Sequence, residues 1–335
     1  MAGAPNREPS APNGTTATAH LPPPRWLEMP TLLALALVLS LSVMASPAAA
    51  ARVAVLMSAK VTEYEEALKG FKEATPQEIV AVYDMDGDLD RGRKYLAEIE
   101  TKVKPDLILA VGIWALQVVV SRPPSVPVVY AMVLNPPNIV GADAKNVTGA
   151  SMNVPVEQPI RLFKQLGPQI KRVGVIFNRN RTGYLVRQAQ TVAREQGLEL
   201  VTKEISSPKE VLGALESIQD GIDALWIVPD ETVLSQAVVQ QMLLFSYRRK
   251  IPLLGLSERH AQMGALFAMS FASGEDIGRQ AGEIAHEILG GRAAAEVPYT
   301  NARKLYLTVN LKAAQKLGLE IPQAILTRAT NVIQQ

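Results

Sequence analysis

The sequence predicts an α/β fold: two doubly wound parallel-sheet lobes joined by crossovers, built from Ala51 onward. Three observations carry this. Short, nearly continuous apolar runs alternate with amphipathic segments, the pattern of buried strands linked by helical crossovers. The alternation runs through the chain twice, and the halves echo each other at matching places. The composition is globular, since 48% of the 335 residues are hydrophobic and 20% charged, which excludes a disordered or fibrous chain.

The first 50 residues stand apart. Residues 1–30 are rich in Pro, Ala and Thr and have no hydrophobic period. An apolar run follows from Thr31 to Ala45, then Ser46-Pro47 and Ala48-Ala49-Ala50. Apolar core, breaker and small-residue site form a cleavable export signal. The run is shorter than the roughly 20 apolar residues of a membrane span. Its basic flank is weak, because Glu8 and Glu28 balance Arg7 and Arg25. We expect cleavage near Ala50 and a periplasmic or otherwise exported protein, with an uncleaved anchor as the alternative. Met1 and Met29 are both possible starts.

From Ala51 the expected strands are Val53–Met57, Ile79–Tyr83, Leu107–Val111 and Val126–Ala131. In the second half they are Val173–Phe177, Leu198–Lys203, Ala224–Val228, Pro252–Leu256, Ala265–Met269 and Leu305–Val309. Helical spacing places Tyr64, Leu68 and Phe71 on one face. The same holds for Leu89, Gly92, Leu96, Ile99 and Val103, and for Ile277, Ala281, Ile284 and Ile288. Arg52–Met57 resembles Arg172–Phe177 at an offset of 120, and Tyr64 and Tyr184 keep that offset. Asp106–Val111 recurs as Asp223–Val228, and Val126–Val129 as Ile251–Leu254. Two lobes follow, one over 51–148 and one over 149–270. Asn146-Val147-Thr148-Gly149 reads as the first crossover.

Composition also removes several chemistries. There is no cysteine, hence no disulfide or thiolate chemistry. Three histidines, His20, His260 and His286, are too few for a His-rich metal centre. A net charge of +2 gives no bulk attraction for nucleic acid. No P-loop, dinucleotide fingerprint or G-x-S-x-G follows a strand. Asp84–Asp88 opens like a calcium loop, but Tyr95 stands at its twelfth position. His260 beside Glu258 is a weak acid–base pair at best. No catalytic residue, metal or cofactor is expected.

In open parallel sheets, ligands sit beyond the carboxyl ends of the strands. The expected cleft loops are Ser58–Tyr64, Gly112–Trp114, Met132–Asn135, Asn178–Tyr184, Pro229–Thr232 and Leu256–Ser257. The candidate ligand-binding residues are Ser58, Tyr64, Gly112, Trp114, Met132, Asn135, Asn178, Thr182, Tyr184, Asp230, Thr232, Ser257 and Phe271. Thr62 and Thr182 fit as helix N-caps whose following N–H groups face an anion. Asp230 suits an ammonium partner. Tyr64, Trp114 and Tyr184 offer flat walls for a ring or a cation. Each has a structural alternative: the threonines as caps alone, Trp114 and Phe271 as packing, and Asp230 as partner of an arginine or cap of a helix from Thr232.

Residues along the chain resemble one family of ABC-transporter substrate-binding proteins, which includes binders of tryptophan and other aromatic amino acids. The matches are Asn146-Val147-Thr148-Gly149 with Val154–Gln158, Lys171–Val175 with Asn178, and Val228-Pro229-Asp230 with Thr232-Val233. Gly278–Gly282 and Asn310–Ala314 with Leu317-Gly318 complete the set, which spans about 52–330. The resemblance implies a type I periplasmic binding fold with three crossovers and hinge closure on a small ligand, the chain returning to the first lobe in a segment at about 271–292 and then to the second in a C-terminal segment at about 293–335. It also implies a membrane permease and its ATPase as partners, and a monomer that binds no nucleic acid. Relatives often carry hydroxyl-bearing motifs after the third and fourth strands. Here Gly112-Ile113-Trp114-Ala115 and Val133-Leu134-Asn135-Pro136 stand instead, pointing to a more apolar or aromatic ligand. The expected function is the solute-binding component of an importer. The alternatives are a sensor for a membrane receptor or kinase and, further off, an exported α/β enzyme.

Overall fold

The computed structural model describes residues 50–141 and 144–334, so the expected export signal lies outside the described residues. The first sheet holds β1 (Arg52–Met57), β2 (Glu78–Asp84), β3 (Leu107–Val111), β4 (Val128–Val133) and β5 (Val147–Ser151). All its pairings are parallel, in the order β2-β1-β3-β4-β5. Every residue of β3 and β4 is buried, as continuous apolar runs require. Three crossover helices follow β1, β2 and β3: α1 (Thr62–Ala74), α2 (Leu89–Glu98) and α3 (Ile113–Ser121).

The second sheet holds β6 (Arg172–Phe177), β7 (Glu199–Glu204), β8 (Ala224–Trp226), β9 (Leu253–Gly255), β10 (Phe267–Phe271), β11 (Leu305–Asn310) and β12 (Asn331–Ile333). Its order is β7-β6-β8-β9-β10-β11-β12, with only β10 and β11 antiparallel. Strands β6 to β10 therefore repeat the order of β1 to β5. The sequence echoes pair topological equivalents: β1 with β6, β3 with β8, β4 with β9. The second half carries α4 (Glu157–Leu166), α5 (Arg179–Glu195), α6 (Val211–Ile218), α7 (Gln236–Arg249) and α8 (Glu258–Met263). After them come α9 (Gly274–Leu289), α10 (Leu311–Leu317) and α11 (Gln323–Arg328). None of the described helices is long and apolar enough to cross a membrane.

Two strands depart from the sequence reading. Asn146–Gly149, expected as a crossover, is largely strand β5, and the chain leaves for the second sheet only after Ser151. Its residues, VTGAS, form no apolar run, yet the strand is buried. Thr148 is tolerated because its hydroxyl donates to the Val297 carbonyl at 2.8 Å. Gly149 is required because a Cβ there would lie 2.2 Å from the Tyr130 carbonyl oxygen. Strand β12, three residues long, is the other addition. Strand β4 begins two residues later than expected, since Pro127 has no N–H to give to the ladder.

Helix α9 follows β10 but packs on the first sheet. Its Ile277, Ala281, Ile284 and Ile288 join the core formed by Val53, Val55 and Leu109. It lies against α1 at very short range. A Cβ at Gly278 would stand 1.8 Å from the Ala67 carbonyl oxygen, and one at Gly70 would stand 2.0 Å from that of Glu275. Residues 290–304 then run past β5, where Ser151 N–H donates to the Thr300 carbonyl at 2.8 Å, and return to β11.

Candidate functional site

The loops at the carboxyl ends of the two sheets meet. Asn135, just past β4, has φ of 53°, a left-handed conformation that asparagine tolerates. Its side-chain amide donates to the Pro229 carbonyl at 2.5 Å, and its side-chain oxygen accepts from the Tyr184 hydroxyl at 3.1 Å. The Asn153 amide donates to that same hydroxyl at 3.2 Å, while Asn153 Oδ1 accepts from Asn135 N–H at 3.0 Å. Asn138 adds a bond to the Arg181 carbonyl. Burial pushes the Tyr184 phenol well above its usual range, so it stays a neutral donor. Tyr184, expected as a flat wall, bridges the lobes through its hydroxyl.

Asp230 has a different role from the expected ammonium acceptor. It is fully buried, and its carboxylate is taken up by the protein. One oxygen accepts from Asn178 N–H at 2.7 Å and from the Thr182 hydroxyl at 2.6 Å; the other accepts from Thr232 N–H at 2.9 Å. Thr182 is likewise not an N-cap. It lies inside α5, whose cap is Asn178, with its side-chain oxygen accepting from Asn180 N–H at 3.0 Å. Thr62 is the first residue of α1, after an uncapped Val61. No helix begins at Thr232; α7 starts at Gln236, with Ser235 as its cap.

On the first lobe, Ser58, Tyr64 and Gly112 converge. Ser58 Oγ accepts from Ala115 N–H at 2.9 Å. Gly112 has φ of +87°, and a Cβ there would stand 2.6 Å from both Ser58 Oγ and the Tyr64 hydroxyl. Burial, then the Glu63 charge, raises the Tyr64 phenol pKa. Met132 (φ 59°) sits at the irregularity in β4 and is buried in the first core. Trp114 does not join these groups. It is 42% exposed, with its ring over Gly87 in the loop after β2.

Where the lobes meet lies a cavity of about 380 Å³. The first lobe and the crossing give it Leu134, Met152 and Val154. The second gives Pro159, Leu185, Trp226, Pro229, Leu234, Leu254, Gly255, Leu256, Ser257, His260, Met269, Ser270 and Phe271. Of the candidate residues, Ser257 and Phe271 line it, and the expected loops supply Leu134, Pro229 and Leu256. Trp226 and Met269 are strand residues, and apolar alternation alone does not reveal that the cavity runs along their face. His260, expected only as a weak partner of Glu258, also lines the cavity. It is half-buried, and its Nδ1 accepts from Leu256 N–H at 3.1 Å. Among the described residues, no charged side chain lines the chamber, so it suits an apolar body with few hydrogen bonds. Among the described residues, no cluster of three His, Cys, Asp or Glu could hold a metal. A wider depression of about 630 Å³ on the outer edge of the first lobe is rimmed by Lys60, Lys69, Glu65 and Glu73, which pair with one another.

Comparison with known proteins agrees with this architecture. The family model described as "ABC transporter substrate binding protein" matches residues 53–333. A tyrosine-binding protein of Clostridioides difficile is 27% identical over 224 residues, 65% of this chain; the chain spans 64% of that relative's length. A ligand-free, open substrate-binding protein with adhesive properties from Clostridium difficile aligns with a TM-score of 0.66 at 21% identity, over 85% of this chain and all of the other. An ABC domain in complex with L-Trp from Streptococcus pneumonia aligns with a TM-score of 0.59 at 22% identity, over 85% of this chain and all of the other. These likenesses establish the fold as the type I periplasmic binding architecture. With the family model matched over nearly all the described residues, the chain belongs to the family of ABC transporter substrate-binding proteins.

Proposed function

We propose that this protein is the exported solute-binding component of an ABC importer. It takes up a small aromatic or apolar organic ligand between its lobes, closes over it by hinge motion and delivers it unchanged to a permease with its ATPase. The observation that supports this best is the uncharged, largely apolar chamber at the meeting of the two sheets, beneath the Asn135–Pro229 bridge. Trp226, Phe271 and Met269 supply apolar area for a ring. Ser257 and Ser270 supply hydroxyls. Ser58, Tyr64 and Gly112 form the first-lobe rim, and Asn135, Asn153 and Tyr184 hold the lobes together.

The domain assignment belongs to the same proposal. The first lobe takes in the return helix α9, and the second takes in β11, β12 and their helices. Hinge motion then bends the three strands of chain between the sheets. The leader directs export, and the protein acts as a monomer. Small-angle scattering during ligand titration, followed by mass spectrometry of the released ligand, tests the reading. Compaction with the ligand recovered intact is expected, and a chemically altered ligand would overturn it.

A further inference from the structure

Building on the ligand chamber just assigned, we propose that its occupant carries a hydrogen-bond acceptor but no ammonium group, and that His260 is the polar anchor. An ammonium taken from water needs a carboxylate or an equivalent cage, because an unpaired buried charge costs far more than a neutral hydrogen bond returns. The chamber offers neither. None of its lining residues is Asp or Glu. Asp230 is the only acid among the fully buried polar residues described, and Asn178, Thr182 and Thr232 already fill it. An amino acid would have to leave both its charges unmet, whereas a neutral compound of the same shape would not.

The chamber does hold one well-placed donor. Leu256 N–H donates to His260 Nδ1, so the proton of a neutral ring resides on Nε2. The ring is held in place at its base: a Cβ on Gly255 would lie 2.5 Å from the His260 Cβ. Burial, and after it the Arg259 charge, keeps the imidazole pKa below its ordinary range, which favours the neutral form. Glu258, the neighbouring acid, is engaged by Gln262 and Asn331. No described residue accepts from Nε2, so its N–H is left for a neutral carbonyl or hydroxyl oxygen of the ligand.

Matched pairs that carry no carboxylate test this by calorimetry: L-phenylalaninol against hydrocinnamyl alcohol, and L-tryptophanol against indolepropanol. Each pair differs only in the ammonium group. In the wild type, the ammonium-free member should bind at least about tenfold more tightly. His260→Phe should weaken that binding about tenfold, and His260→Gln, which sets an amide N–H near Nε2, should restore most of it. Should His260→Phe not fold, the paired comparison still decides the ligand class and His260→Gln the anchor. Equal or tighter binding of the ammonium-bearing members overturns the inference, as does a folded His260→Phe with unchanged affinity. The chamber assignment survives either result if Ser270→Trp, which fills the cavity, abolishes binding. Binding that Ser270→Trp does not touch, or no binding of any probe, overturns the chamber assignment as well.

Discussion

The side-chain amide of Asn135, on the first lobe, donates to the carbonyl of Pro229, on the second, at 2.5 Å. The same side chain accepts from Tyr184, so one residue ties two loops of the facing lobe. Asn135→Ala would remove both bonds and leave a half-buried phenol with one partner fewer. The expected result is a wider ligand-free particle by small-angle scattering. Affinity should fall by about 1–2 kcal/mol in calorimetry, because the closed form would be less populated.

Asp230→Ala should act on stability. Three donors, two of them backbone N–H groups, would lose a buried charged acceptor. A loss of about 3 kcal/mol or more is expected in denaturant unfolding. A melting transition equal to wild type would instead return Asp230 to the role of a ligand contact.

The α1–α9 contact gives a paired prediction. Gly278→Ala places a methyl 1.8 Å from the Ala67 carbonyl oxygen, so the helices must separate. A cost of about 2–3 kcal/mol is expected. Gly213→Ala, in α6 with nothing within 4 Å of the new methyl, should instead stabilise by roughly 0.5–1 kcal/mol. Thermal unfolding of the two variants checks both signs.

The His260 imidazole titrates below its ordinary range, chiefly because it is buried. Since its folded value is depressed, the unfolded chain takes up the proton first as pH falls. Its stabilising contribution is therefore complete above the unfolded value of about 6.5 and is lost as pH drops towards the folded one. Charging the ring also ends the Leu256 N–H bond to Nδ1. Wild type should lose melting temperature more steeply between about pH 7 and about pH 5 than His260→Asn, which does not titrate. Parallel slopes would contradict this.

The sequence carried most of the fold because buried parallel strands are written as apolar runs. The ten expected strands all form, and the three sequence echoes align equivalent strands of the two sheets. Strand β5 was hidden because Thr148, Gly149 and Ser151 are buried through close backbone approach and hydrogen bonds, not through hydrophobicity. The site was less legible. Loop position brought Asn135, Tyr184, Ser257 and Phe271 to the meeting of the lobes, but it does not say which way a side chain faces. Trp114 rests on Gly87 at the surface, while Trp226, a strand residue, lines the chamber. Asp230 reads as available for a ligand because two of its three donors, Asn178 N–H and the Thr182 hydroxyl, come from the start of α5 and its cap, some fifty residues earlier in the chain. The strength of His260 lies in a bond to Leu256 N–H that no spacing announces.

The most direct test uses Trp226 itself. The chain has three tryptophans, and Trp26→Phe with Trp114→Phe leaves Trp226, which is 3% exposed and lines the chamber, as the only indole. Its emission should be followed while hydrocinnamyl alcohol, which has no indole of its own, is titrated in. A ligand held between the lobes should change that emission saturably, with the dissociation constant that calorimetry gives for the same variant. Calorimetric binding with Trp226 emission unchanged throughout would place the ligand elsewhere and contradict the account.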